Sequence, residues 1–286
     1  MFVNFNFMGE YLLEPIINNN LKIYVNNFPD NLKKNNNYKY IFIQIESSMI
    51  IDKFLIKIIN NPELFDYILT WDKRVLKLNN AIKFLPLLKY SWIKFPKEAG
   101  INPYLKYHYN CNLNEEYNNK NFNISMLCSD KNWCPGHKVR HEIWNNQLEI
   151  NIPRKFYKPC ITKILKIFDD NIIISSKRDK TEMFDSMFHI CIENNNAKDY
   201  FTEKIIDCII SKTVPVYYGC PNIGEYFDLN GIIIINKNNY IDIINNLTEE
   251  TYYKMLPYIK KNYNTWLKMK SFENKFKQFL NHNLKS

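Results

Sequence analysis

Short apolar runs alternate with segments of helical periodicity along most of the chain. Residues 188–192 form an apolar run that stops at Glu193, and residues 214–218 form a second run closed by Gly219 and Pro221. Between them, isoleucines 205, 206, 209 and 210 recur at helical spacing behind Thr202, a good N-cap residue. This order predicts a strand, a helix and a second strand, as in a parallel α/β sheet.

The same alternation predicts α/β structure on both sides of this stretch. In the first part, the pattern predicts three or four strands, drawn from residues 21–25, 38–46, 65–71 and 81–85, with a helix over 49–59. In the second part it predicts strands over 121–128, 171–175 and 231–235, helices over 138–147, 161–168 and 179–187, and helical structure from Tyr240 onward.

A change of composition predicts two domains. Residues 94–119 contain Pro96, Gly100 and Pro103 and run into an asparagine-rich patch, which is typical of a linker. We therefore predict a small N-terminal Rossmann-like domain over residues 1–118, and a second domain over 119–286 that ends in helices.

Polar side chains follow the strand over 188–192, where parallel α/β sheets bind their ligands. They are Glu193, Asn194, Tyr200, Glu203 and Lys204, all in the loop or the first helical turn. A helix N-terminus with an added lysine favours a diphosphate, and an adjacent glutamate can accept hydrogen bonds from sugar hydroxyls. A sugar nucleotide has both groups. An ordinary exposed Glu-Lys pair at a helix start explains the same residues equally well.

Residues 193–223 resemble the α-1,3-fucosyltransferase family (glycosyltransferase family 10). The match consists of Glu-Asn at 193–194, Tyr-Phe-Thr-Glu-Lys at 200–204 and Val-Pro-Val-Tyr-Tyr-Gly-Cys-Pro at 214–221, with Ile192 where the family usually has phenylalanine. Weaker similarity extends over most of the chain.

The resemblance implies a GT-B-like α/β fold, in which two Rossmann-like halves face each other across a cleft and the first half is small here. It also implies an inverting transfer of fucose from GDP-fucose to a hydroxyl of a glycan acceptor. No cofactor is expected, because the sequence has no Asp-x-Asp pair for a catalytic metal. No Walker-type or dinucleotide-binding glycine motif occurs either.

By the same resemblance, Glu46 is the candidate catalytic base. It ends the apolar run IFIQIE, in a position similar to that of the family's catalytic glutamate. A polar residue that only closes a strand is the alternative, and Glu10 and Glu14 are rivals by composition alone. A base is needed to take the proton from the acceptor hydroxyl.

The remaining site residues are expected to bind the donor. Arg140 is the phosphate candidate, because its planar fork can bind two phosphate oxygens, although a surface arginine on a helix is the alternative. Lys204 would be the second cation and Glu203 would bind the sugar hydroxyls. Asn194 and Tyr200 would line the pocket. Possible support comes from Glu193 and His137; His137 and His141 lack a third metal ligand.

Charge and cysteines bear on partners and location. The net charge of +9 fits an anionic substrate, but a solvated lysine-rich surface explains it as well. Seven scattered cysteines without a C-x-x-C motif predict reduced thiols and a cytoplasmic protein. No apolar stretch is long enough for a transmembrane segment, and no signal peptide is recognisable.

Three alternatives remain open. The same fold could use another nucleotide sugar, or the chain could be a non-catalytic sugar-binding relative. The third is a basic nucleic-acid-binding module, which rests on a pI near 9.0 and a lysine-rich C-terminal segment. No nucleic-acid recognition motif supports it, so the expected partners are a nucleotide-sugar donor and a glycan acceptor.

Overall fold

The computed structural model describes residues 16–18, 20–85, 120–175 and 180–284. The chain divides into two compact units, Met1–Pro86 and Leu87–Ser286. The predicted domain boundary near Asn118 lies outside the described residues and stays a prediction.

The first unit contains a five-stranded sheet, where the sequence predicts three or four strands. The strands lie side by side in chain order: β1 (Ile16–Asn18), β2 (Leu21–Val25), β3 (Lys39–Ile43), β4 (Tyr67–Thr70) and β5 (Ala81–Lys83). β1 pairs antiparallel with β2, and the other pairs are parallel. The prediction misses β1 because three residues are too few to show an alternating pattern. Helix α1 (Asp52–Asn60) follows β3.

The second unit contains six parallel strands in the order β11-β10-β9-β6-β7-β8. They are β6 (Asn121–Leu127), β7 (Arg154–Pro159), β8 (Ile172–Ser175), β9 (Ser186–Ile192), β10 (Val214–Tyr218) and β11 (Ile233–Ile234). Among the residues that the structure describes, its helices are α2 (Pro135–Asn145), α3 (Glu203–Ile210), α4 (Tyr240–Asn245), α5 (Glu249–Lys268) and α6 (Phe272–Asn283). The strand order reverses between β6 and β9, which is where α/β sheets of this kind bind ligands.

The core of the second unit explains why its central strands read as continuous apolar runs. All seven residues of β9 are buried, as expected for a parallel strand whose two faces are both covered. Val139, Ile143 and Trp144 of α2 join Phe188 and Ile190 in one hydrophobic cluster. The predicted helix after Thr202 is confirmed as α3, and residues 205–210 within it are all buried.

Two predicted helices and one predicted strand boundary are wrong. Residues 161–168 form no helix: isoleucines 161, 164 and 167 mimic helical spacing but are exposed, and the Asp130 carboxylate accepts the backbone N–H groups of Lys163 and Ile164. In the described part of the range 179–187, residues 180–187, a 3₁₀ helix, Thr181–Asp185, is the only helix, and β9 begins at Ser186. Residues 231–235 likewise reduce to a 3₁₀ turn and the two-residue β11.

The prediction misses β7 altogether, because its sequence RKFYKP is largely polar. Only Phe156, Tyr157 and Lys158 of this strand are buried. No helix within the described ranges combines the length and apolarity needed to cross a bilayer.

Candidate functional site

A pocket of about 90 Å³ lies at the point where the strand order reverses. Leu127 at the end of β6 and Ile192 at the end of β9 line it. Three cationic side chains, Arg140, Lys180 and Lys204, also line this pocket. The structure therefore brings together two of the predicted donor-binding residues, Arg140 and Lys204, and adds a lysine that the sequence analysis does not identify.

Arg140 is held by acceptors at the end of β9. Its Nη2 donates to the carbonyl oxygen of Ile192 at 2.9 Å and to Oδ1 of Asn194 at 2.7 Å, and its Nε donates to the same carbonyl at 3.3 Å. The sequence predicts that this helix starts at residue 138, which would place Arg140 in its first turn. Because α2 begins at Pro135, Arg140 lies in the second turn instead. These acceptors fix the guanidinium at the pocket. Because they are neutral, they do not neutralise its positive charge.

The N-terminus of α2 packs closely against the loop after β9. The Gly136 N–H donates to the carbonyl of Asn194 at 3.1 Å, and a Cβ at Gly136 would lie 1.7 Å from the carbonyl oxygen of Glu193. His137 Nδ1 accepts the N–H of Cys134 at 3.2 Å and caps the helix. Burial, followed by the charge of Arg140, lowers the pKa of His137 to about 4, so the ring is neutral at neutral pH.

Glu193 connects β9 to the start of α3. Its buried carboxylate accepts the Thr202 backbone N–H at 2.8 Å and the Thr202 hydroxyl at 2.7 Å. Lys204 Nζ lies 3.7 Å from Glu193 Oε2 and donates to Thr202 Oγ1 at 2.9 Å. Burial raises the pKa of Glu193. With no exposed surface, Glu193 orders the loop that carries the site.

Glu203 and Lys204 form an ion pair of 3.0 Å, and their side chains are only 13% and 22% exposed. Burial acts to raise the pKa of Glu203, but the charges of Lys204 and Lys180 outweigh it and lower that pKa to about 2. For Lys204, burial acts to lower the pKa, while Glu203 and Glu193 raise it. Both groups are therefore charged at neutral pH, in a largely buried position that an ordinary surface pair would not occupy.

The other predicted donor residues are placed less directly. Asn194 and Glu203 do not line the pocket: Asn194 accepts a hydrogen bond from Arg140, and Glu203 forms an ion pair with Lys204. Tyr200 is 3% exposed and is not among the residues that line the pocket. The predicted roles of Tyr200, Asn194 and Glu203 in binding a donor stay predictions.

Glu46 belongs to the first unit. β3 ends at Ile43, so Glu46 lies three residues beyond the strand instead of closing it. The Asn26 side chain accepts the backbone N–H groups of Ile45 and Glu46, at 2.7 and 2.8 Å, and so fixes the turn that carries the carboxylate. The role of Glu46 as a base stays a prediction, and Glu10 and Glu14 lie outside the described residues.

Most of the residues that line the pocket, among them Lys180 and His189, are missed by the sequence analysis. Lys180 precedes the 3₁₀ helix Thr181–Asp185 in a lysine-rich stretch, where nothing distinguishes it from a surface lysine. His189 Nδ1 lies 2.8 Å from the Ser125 hydroxyl, and burial lowers its pKa to about 3. His189 lies inside an apolar run, where the sequence predicts only a strand.

Comparison with known families gives a match over most of the second unit. Residues 117–285 match the model of the C-terminal part of glycosyltransferase family 10 (fucosyltransferase). That range includes every predicted donor-binding residue and excludes Glu46.

Among curated proteins, the alpha-(1,3)-fucosyltransferase FucT of Helicobacter pylori is 34% identical over 55 residues. These residues are 19% of this chain and 12% of the H. pylori protein, so the match is local.

Among solved structures, an alpha1,3-fucosyltransferase is similar with a TM-score of 0.50 and 18% identity, over 89% of this chain and 80% of that chain. TarM of S. aureus is similar with a TM-score of 0.51 and 13% identity, over 87% of this chain and 51% of that chain. Similarity at these identities concerns the fold, and it confirms the predicted GT-B-like α/β class.

Proposed function

The chain belongs to glycosyltransferase family 10, and on that basis we propose that it transfers fucose from GDP-fucose to a hydroxyl of a glycan acceptor. The convergence of Arg140 and Lys204 on one pocket at the reversal of strand order carries this proposal. Such a position suits a ligand with concentrated negative charge, as a nucleoside diphosphate has.

In the proposed donor complex, Arg140 and Lys204 bind the diphosphate. The guanidinium keeps its neutral acceptors, the Ile192 carbonyl and Asn194, and in this proposal its remaining N–H groups donate to phosphate oxygens. Glu203, ionised beside Lys204, accepts hydrogen bonds from the hydroxyls of the fucose. The pair thus orients the sugar and the leaving group from two neighbouring positions at the start of α3.

The proposed reaction is a single displacement with inversion. Glu46 takes the proton of the acceptor hydroxyl, whose oxygen attacks the anomeric carbon of fucose. The bond between that carbon and the diphosphate oxygen breaks, and its electron pair leaves with GDP. Arg140 and Lys204 stabilise the negative charge that grows on the diphosphate. We propose that these cations take the place of a metal ion and that no cofactor takes part.

The test is a transfer reaction with GDP-fucose and an array of glycans, followed by mass spectrometry of the products. We expect a fucosylated product, formed equally well in EDTA, with the opposite anomeric configuration to the donor by NMR. A Glu46→Gln variant should lose turnover by at least about a hundredfold, as expected for loss of a general base, while it still binds GDP.

If no glycan on the array is fucosylated but another nucleotide sugar gives a product, GDP-fucose is not the donor and the proposal is wrong on that point. Full turnover of the Glu46→Gln variant would exclude Glu46 as the base.

A further inference from the structure

Lys180 is a half-buried lysine that lines the pocket. Its side chain lines the pocket beside Arg140 and Lys204, and burial lowers its pKa. Placing a cation among other cations in a low-dielectric site is unfavourable unless anions offset it. A half-buried charged group whose pKa is shifted, in a pocket that other cations line, is a frequent mark of function.

The charges that face Lys180 come from two helices. Glu203 and Asp207 of α3 attract its ammonium group, whereas Lys204 of α3 and Arg140 of α2 repel it. After burial, the positive charge of Lys180 also lowers the pKa of His189 on β9. Lys180 therefore lies within electrostatic range of both cations assigned to the diphosphate and of the carboxylate assigned to the sugar.

The pocket lining adds a geometric argument. Arg140, Lys180 and Lys204 reach the pocket from three separate segments: α2, the residue before the 3₁₀ helix Thr181–Asp185, and α3. Cations that approach one small cavity from different segments can surround a diphosphate, whose oxygens point in several directions. A single helix N-terminus could meet only some of them.

We propose that Lys180 is a third donor-binding cation, which contacts the diphosphate of GDP-fucose together with Arg140 and Lys204. This inference rests on the proposed function and concerns the same pocket. As the bond to fucose breaks, the electron pair moves onto a diphosphate oxygen, and Lys180 stabilises that charge.

The test compares Lys180→Met with Lys158→Met by titration calorimetry. Lys158 is a matched control, because it is a buried lysine of the same unit whose Nζ donates to the carbonyl of Leu165 and which does not line the pocket. GDP and guanosine serve as probes, since guanosine has no phosphate. We expect Lys180→Met to weaken GDP binding by about tenfold or more, as for loss of a charged hydrogen bond.

Guanosine affinity should stay within about twofold of the parent in Lys180→Met, a difference of only a few tenths of a kcal/mol. Lys158→Met should bind both probes like the parent. Lys180→Arg, which keeps the charge, should recover most of the GDP affinity. If Lys180→Met does not fold by circular dichroism, Lys180→Gln takes its place with the same expectation.

Each other outcome has a separate meaning. A parent protein that does not bind GDP contradicts the proposed function itself. A parent that binds GDP, with a Lys180 variant that binds it equally well, overturns only this inference. A Lys180 variant could also keep its GDP affinity but lose the preference for GDP-fucose over GDP. Lys180 would then position Glu203 and not contact the diphosphate, and that also overturns the inference.

Discussion

Lys204 makes three contacts at the start of α3, and each serves a different part of the site. Its Nζ pairs with Glu203 at 3.0 Å, approaches Glu193 at 3.7 Å and donates to Thr202 Oγ1 at 2.9 Å. The sequence predicts Glu203 and Lys204 as a pair, since they are adjacent. It does not predict the burial of the pair or its link to Glu193, because these depend on a loop that brings the end of β9 back to α3.

Lys204→Met should therefore weaken GDP binding by about tenfold or more, since a charged hydrogen bond contributes roughly 1.5–3 kcal/mol. The matched control is Lys198→Met. Lys198 lies close to Lys204 in the sequence, but it pairs with Glu225 at the surface. Calorimetric titration with GDP measures both. Equal losses in the two variants would argue against a specific role for Lys204.

The junction between α2 and the loop after β9 sets the geometry of the site at the level of elements. Arg140 and Gly136 lie on one side of it and Glu193 and Asn194 on the other. The sequence predicts a helix and a loop here but not their contact, because more than fifty residues separate Arg140 from Asn194 in the chain. The two residues come close only because β6 and β9 pair in the folded sheet.

Gly136→Ala tests this junction. A Cβ would lie 1.7 Å from the carbonyl oxygen of Glu193, so α2 or the loop must shift, and we expect a loss of about 1–3 kcal/mol in the free energy of unfolding, as for overpacking. Gly224→Ala is the control, because its Cβ would meet only the half-exposed side chain of Leu229 at 3.0 Å. Urea unfolding compares the two.

The outcome that contradicts this packing is a Gly136→Ala variant as stable as Gly224→Ala, with unchanged GDP affinity. The two elements would then be too loosely packed to position Arg140.

Across the whole molecule, alternating patterns and the family resemblance predict the α/β class, β2, β9, β10 and the C-terminal helices. The reversal of strand order, and with it the location of the pocket, is not readable from local patterns. β7 shows why: its largely polar sequence conceals a strand that is specified by pairing with β6 and β8. Residues 161–168 show the converse, where apolar spacing without a face to cover leaves exposed isoleucines.

Stability should depend on pH through His189. Burial lowers its folded pKa to about 3, so the unfolded chain takes up this proton first. The stability contributed by the neutral ring is fully present above about pH 6.5 and is lost as the pH falls towards the folded value, by up to about 1.4 kcal/mol per pH unit. His189→Asn should reduce that slope in urea unfolding, whereas Ser125→Ala should keep it, because the imidazole remains. Parallel slopes for His189→Asn and the parent would contradict this.

The central claim is that this protein binds GDP-fucose as its donor. Calorimetric titration of the parent protein with GDP-fucose, GDP, GDP-mannose and a UDP-sugar tests it most directly. We expect GDP-fucose and GDP to bind at least about tenfold more tightly than the UDP-sugar, a difference of about 1.4 kcal/mol, and GDP-fucose to bind more tightly than GDP-mannose. Tighter binding of the UDP-sugar, or no binding of any GDP compound, would contradict the account.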